Sequence, residues 1–424
     1  MSANTSTRET GAIYVSQTRR RVMGIVFLGF AALIWLVFAR GLDPEMTTKM
    51  RLYPGGSTVV VEDWVFNTLD ALQILAFACA VLGSYQLARG FGKRTGLVVS
   101  LIGGMFVFAF LSWAASGGML NLAGMLRIMF IRSVPLTLGA LSGILCERAG
   151  VVNIAIEGMM LTAAMIGTIV GSVSTLWAGL VGAVIAGGLL GLVHAVMSIK
   201  YRTDQIISGT VINIFAVGIT SFISAKFMQS IPEINDPGIF SPYEIPFLGQ
   251  LPFLGPILFR HNLFVYAMVF FVILVTFLLF KTRWGLRLRS VGEHPKAADT
   301  LGIDVFKTRY MAVILGGMMA GFAGAYFTLG SVGRFDQMMT AGRGFIALAA
   351  MIFGNWTPVG AMIAGLLFGF SDSLAANLAI LRVKIPSEFL LMTPYIVTML
   401  VLAGVVGRGQ MPAADGKPYE KEEL

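Results

Sequence analysis

The sequence predicts an all-α, polytopic helical membrane protein of about twelve spans, give or take two, with inverted repeats of broken helices and a three-span N-terminal extension. Three observations carry that reading. Of 424 residues, 56% are hydrophobic and 12% charged, with 50 glycines, 24 methionines and 31 phenylalanines, whereas a soluble chain carries about 25% charge. Several apolar runs reach the roughly 20 residues a helix needs to cross a bilayer, and they are continuous rather than alternating, which argues against a β-barrel. Finally, two similar stretches lie 192 residues apart, Ala149 to Met159 (AGVVNIAIEGM) and Ala341 to Met351 (AGRGFIALAAM), with five of eleven positions identical. Each places glycine and polar or charged residues in apolar surroundings, as a helix interrupted inside a membrane does.

The formal charge of +9 is unevenly spread. Basic residues gather around Arg8 and Arg19–Arg21, around Arg89, Lys93 and Arg94, at Lys200 and Arg202, and from Lys281 to Arg309. The connections 41–64 and 229–261 hold three basic residues against seven acids. Excess Lys and Arg marks cytoplasmic loops, so the first set is read as cytoplasmic and the second as external, with both termini inside. Arg40, Arg382 and Lys384 fall on the external side and weaken the contrast without reversing it. This pattern speaks for a membrane and not for nucleic acid.

The spans follow in order. The extension, 1–115, crosses at 22–39, 65–87 and 95–115. No small-residue cleavage site follows Phe38, so the first helix is read as uncleaved. The first repeat half, about 120–280, crosses at 120–144, 150–172, 178–198, 204–228 and 262–280. The second, about 308–406, holds 308–330, 344–354, 358–377 and 388–406, with 344–354 too short to span straight and read as re-entrant. A polar tail, 408–424, closes the chain. Cys79 and Cys146 lack metal-ligand spacing and read as buried small hydrophobes.

Candidate path residues lie at the breaks. Gly150, Gly158, Gly342, Gly344 and Gly354 permit irregular backbone, and Pro358 supplies another interruption. Glu157 is a carboxylate in a membrane segment, costly unless it has a task. Two readings stand: it braces free amides of a broken helix or pairs with Arg343, or it touches substrate. Asn153, one turn earlier on a continuous helix, would share its face. Asn213 makes either an interhelical bond or a substrate contact. Phe345 and Trp356 are candidates for an aromatic lining or for packing. Asp70, His194 and Asp372 are the groups a proton relay would use, but they form no visible chain.

In the loop 281–309, Pro295 suits a first helical turn, Lys296 to Leu301 a short helix and Gly302 its end. Such a helix across the membrane face is a handle for another protein, or else a solvated basic loop beside anionic lipid. The chain has no Gly-x-x-x-x-Gly-Lys-Ser/Thr, no metal-ligand set and no nucleophile–base pair, so no cofactor and no catalysis of its own are expected.

The run Leu141 to Met160, with Asp204 to Thr210, Asn213, Gly292 to Ile303 and Gly342 to Ala350, closely resembles bacterial ABC-importer permeases of the branched-chain amino acid and simple-sugar permease superfamily. The match is best to its simple-sugar or nucleoside subgroup and covers roughly 116–407. The resemblance implies a permease subunit in the bacterial inner membrane that imports a nucleoside or simple sugar. It also implies a paralogous permease partner, cytoplasmic ATPases that bind ATP and magnesium, and a periplasmic or lipoprotein binding protein meeting loops such as 229–261. Loop 285–304 would be the coupling helix, with Gly292, Glu293, Pro295, Ala297, Ala298 and Gly302 at the ATPase contact. A branched-chain amino acid permease is the alternative within this superfamily, and an ion-coupled secondary transporter the alternative outside it. The 1–115 extension departs from the short members of the subgroup.

Overall fold

Ten helices among the described residues are long and apolar enough to cross a bilayer. The computed structural model describes residues 17–56, 61–380, 392 and 410–421. The chain divides into one unit of Met1–Leu52, Val60–Leu122 and Leu378–Lys384 and a second of Tyr53–Val59, Ala123–Asn377 and Ile385–Leu424. The expected span 388–406 lies outside the described residues, apart from Met392.

In the first unit, α1 (Gln17–Leu33) runs into a π-helical turn, Ile34–Ala39, and is followed by α2 (Thr68–Ala88) and α3 (Thr95–Ala114). Phe27, Ile34, Phe38, Leu72 and Ile102 form its core, and the Phe38 and Trp113 rings stack at 5.1 Å. Asn67 caps α2 by accepting the Asp70 amide at 3.0 Å. Asp70 itself is exposed in the first helical turn, where a negative charge suits the helix dipole. A small sheet, absent from the sequence reading, joins these ends. Its strand β1 (Thr47–Arg51) pairs antiparallel with β2 (Trp64–Asn67) and parallel with β3 (Met119–Asn121). Strands of three to five residues carry too little alternation to stand out against apolar surroundings.

The second unit opens with α4 (Leu122–Glu147), α5 (Ile156–Val173), α6 (Leu176–Ala195) and α7 (Gln205–Ile223). A short α8 (Leu254–Leu258) and the pair β4 (Tyr243–Glu244) and β5 (Arg260–His261) precede α9 (Leu263–Lys281). Then come α10 (Arg283–Glu293), α11 (Pro295–Thr300), α12 (Val305–Phe327), α13 (Arg343–Phe353) and α14 (Pro358–Ile380). The starts are set by capping side chains: Thr175, Asp204 and Asp304 each accept backbone amides of the helix they precede. The loop expected to hold one short helix holds two. His294 breaks them and caps α11 through the Ala297 amide at 3.1 Å, while Pro295 takes the first helical position. Gly302, at φ +79°, turns the chain away.

Helices α6 and α12 meet through glycine. A Cβ on Gly317 would overlap the Gly187 carbonyl oxygen, and one on Gly187 would overlap that of Gly317. Without a hydrophobic drive between helices in lipid, such backbone approach supplies the packing. Gly317→Ala should therefore cost about 1–3 kcal/mol, measured by thermal unfolding in detergent. The control is Gly218→Ala, which meets nothing within 4 Å and should stabilise by up to about 1 kcal/mol.

Candidate functional site

Between α4 and α5 the chain runs from Arg148 to Ala155 without helix. Backbone groups there need partners that lipid does not offer, and buried side chains supply them. The Val152 amide donates to Gln205 Oε1 at 2.7 Å, and the Val152 carbonyl is bonded to His194 Nε2 at 2.9 Å. Asn213 takes the Gly158 amide at 2.8 Å and donates to the Ile154 carbonyl at 2.9 Å. Asn153 accepts the Ala155 amide at 3.1 Å, and Arg309 Nε donates to the Ala149 carbonyl at 3.2 Å. Intramembrane polar residues thus replace the missing helical ladder.

Helix α13 is the second break. Eleven residues rise about 16 Å, half the roughly 30 Å of a hydrocarbon core. Ala347 and Met351 lie against Gly139 and Gly143 of α4. The Trp356 indole donates to Glu147 Oε2 at 2.5 Å. The half-helix therefore runs alongside the last half of α4, and its N-terminus lies inside the unit. Glu157 meets it there: Oε1 accepts from Thr340 Oγ1 at 2.6 Å and the Gly342 amide at 2.8 Å, and Oε2 accepts the Gly344 amide at 2.6 Å. A carboxylate so placed satisfies orphan donors and complements the dipole. Gly344 has to be glycine, because a Cβ would stand 2.6 Å from the Glu157 Cα. Gly150 and Gly342, equivalent in the two similar stretches, are both left-handed at φ +85° and +79°.

Beside the head of α13 lies a cavity of about 440 Å³. Arg132, Pro135, Tyr326, Phe327, Asp336 and Arg343 contribute to its wall. Pro135, inside α4, has no amide to give the carbonyl four residues back. That carbonyl, on Ile131, receives the Tyr326 hydroxyl at 2.9 Å instead. A π-helical turn, Thr328–Val332, extends α12 along the same wall through Ser331 and Val332. The Arg343 guanidinium lies 5.6 Å from the centre of the Phe327 ring, within cation–π range.

Of the sequence candidates, Arg343 lines the cavity. Glu157 bonds the amides beside it, not Arg343. Asn153 precedes α5 and so does not share a helical face with Glu157; a loop whose amides are held by side chains replaces the expected turn. Asn213 makes the interhelical bond. Phe345 is half exposed on α13, outside the cavity wall, and Trp356 is buried at the far end of that helix. His194 holds the re-entrant backbone and also bonds Ser208 Oγ at 3.1 Å, and Asp372 lies half-buried on α14. Among the coupling candidates, Pro295, Ala297 and Ala298 lie on α11, Gly292 and Glu293 end α10, and Gly302 follows them. Sequence reasoning missed Arg132, Tyr326, Phe327 and Asp336. Arg132 alone left a signal, a charge within an apolar run.

A helix broken in mid-span beside a polar, aromatic-lined recess defines a membrane transport subunit. Residues 124–405 match the branched-chain amino acid transport system permease component family, and the chain belongs to it. The chain is 40% identical over 302 residues to the guanosine ABC transporter permease protein NupQ of Bacillus subtilis, covering 69% of this chain and 94% of that one. It is also 40% identical over 310 residues to the nucleoside ABC transporter permease protein NupC of Lactococcus lactis, covering 70% and 96%. Identity to the putative glucose ABC transporter permease protein TsgC13 of Haloferax volcanii is 36% over 259 residues, covering 59% of this chain and 77% of that one. No solved structure matches significantly.

Two substitutions test the bracing. Glu157→Gln turns an amide donor toward one of three donors and should cost at least about 2 kcal/mol, read as a lower unfolding midpoint. Tyr326→Phe orphans the Ile131 carbonyl and should cost about 1–3 kcal/mol by the same assay.

Proposed function

We propose that this chain is the membrane-spanning subunit of an ATP-driven nucleoside importer. The observation that supports it most is the recess at the head of α13, where aromatic faces (Tyr326, Phe327) and polar groups (Arg132, Ser331, Asp336, Arg343) meet. A nucleoside presents a planar base that packs on aromatic rings, together with base edges and ribose hydroxyls that seek hydrogen bonds. The relatives at 40% identity carry guanosine and nucleoside names. A simple sugar is the second reading, favoured by the glucose relative. Branched-chain amino acids fit less well, because both 40% relatives are named for nucleosides.

The sequence contains no phosphate-binding loop, so ATP and magnesium are bound by separate cytoplasmic ATPases. Their closure acts on α10 and α11, with Pro295 and Ala297 as the contact and Gly292, Glu293 and Gly302 as its supports. Ala298, expected at the contact, is 2% exposed and packs inward against Val291 and Tyr419 instead. A paralogous permease completes the path, and a periplasmic or lipoprotein binding protein delivers solute to loops such as 229–261. The positive-inside pattern supports a cytoplasmic side for α10, α11 and both termini, and the bacterial permease relatives support a bacterial inner membrane. Direct ion coupling is disfavoured: the Glu157 oxygens are taken by three donors, and Asp70 is exposed at a helix N-terminus.

Reconstituted with its ATPase, the transporter should take up labelled guanosine with ATP present, and unlabelled nucleosides but not leucine should compete. Uptake that follows an ion gradient without ATP would sink the proposal. Arg343→Ala should lower uptake by about tenfold or more, the effect of losing about 1.4 kcal/mol. It should leave thermal stability within about 0.5 kcal/mol.

A further inference from the structure

The polar tail, 408–424, has its described part, 410–421, seated on the second unit. The Gln410 amide donates to Asn355 Oδ1 at 2.7 Å. The Ala413 amide reaches Glu293 Oε2 at 3.2 Å, and the Ala414 amide the Gly292 carbonyl at 2.9 Å. Arg309 Nη1 donates to the Lys417 carbonyl at 3.0 Å, and the Tyr419 hydroxyl to Asp299 Oδ2 at 2.8 Å. The Tyr419 ring packs on Phe306 at 5.4 Å, and Arg202 pairs with Glu420 at 2.5 Å. Ala414, Asp415 and Tyr419 are each 6% exposed.

These contacts join two parts of the second unit. One is the α10–α11 pair itself. The other is the lower end of α13, where Asn355 and Trp356 adopt left-handed φ of +52° and +51°, a conformation costing about 1–3 kcal/mol each unless held. Arg148 Nε binds the Trp356 carbonyl at 3.0 Å, and Gln410 binds Asn355. The other end of α13 carries Arg343 at the cavity. We propose that Gln410–Glu420 is a transmission strap that ties the coupling helices to the strained end of α13, with the buried Asp415 as its anchor. This rests on the docking role given to α10 and α11 above.

The anchor makes the strap sensitive to protons. Asp415 is pushed up to about 7 by burial, while the neighbouring Glu147 side chain and the Arg309 charge hold it down. The groups facing it are Glu147 and Cys146 from α4 and Arg309 from α12, with Tyr419 near Arg309. Both Asp415 carboxyl oxygens are buried without a hydrogen-bond partner, an environment that favours the protonated acid. A raised carboxyl favours the seated state fully at low pH and loses that contribution as pH rises through about 7.

The test uses the assembled transporter in proteoliposomes. Tyr419→Phe and Ala414→Pro, each removing one tie, should leave ATPase capture and hydrolysis intact while uptake per ATP falls about fivefold or more, the lower end of usual coupling energies. Uptake per ATP equal to the parent in both variants overturns the strap. Ala297→Asp, on the exposed side of α11, tests docking separately. It should abolish ATPase capture, and undiminished capture overturns the docking reading instead. A third readout is independent of transport. Maleimide labelling of Ala414→Cys, referenced to the exposed Ala413→Cys, should rise from about pH 6 to about pH 8 as the anchor ionises. Asp415→Asn should abolish that rise. Labelling that is flat with pH in the parent background overturns the anchor.

Discussion

The Glu157 carboxylate at the head of α13 is the constraint on which the rest of the second unit depends. A half-helix ending inside a membrane leaves amides that lipid cannot satisfy. Two of those amides and one hydroxyl converge on Glu157, so the two interrupted segments stabilise each other. Neither has a sensible structure alone. The same contact explains the glycines around it: Gly344 lets α5 pass, and Gly342 turns the chain into the helix.

The same accounting reassigns most of the intramembrane polar residues. A buried Asn, Gln or His in a membrane span is by default a functional candidate. Here Gln205, His194, Asn153 and Asn213 are engaged with the backbone of 148–158. What they maintain is a stretch of chain held open without helix. The groups left facing open space belong to a different set, brought together by the Pro135 interruption, the π-helical end of α12 and the head of α13.

Mechanical continuity follows from the same elements. Gly292 of α10 packs so closely on the Arg148 carbonyl that no Cβ would fit, and Arg148 in turn holds the Trp356 carbonyl. Packed backbone and a hydrogen bond therefore join α10 to the end of α13 at Trp356. Rigid contacts of this kind respond by switching between arrangements rather than by bending.

Nearly every described span was legible in the sequence, because length and hydropathy are local properties. The expected 344–354 segment differs from α13 by one residue at each end. The start of α5 was not legible. A break at Gly150 was legible, but the expected span begins there, and only the side chains of Gln205, His194 and Asn213, distant in sequence, hold the backbone open as far as Ala155. The short sheet around Thr48 escaped for a similar reason, since its partners lie far apart in the chain. At the site, sequence identified Glu157 and Arg343 as unusual, because a charge in an apolar run is visible in one dimension. It could not say that Glu157 faces amides 185 and 187 residues away, nor that Tyr326 completes a carbonyl freed by Pro135. Composition and the length of its apolar runs determined that this chain spans a membrane, and glycines and charges set within those runs marked where its helices break. Which polar groups serve the broken backbone and which face the cavity was decided by tertiary structure, because hydrogen-bond satisfaction depends on neighbours in space.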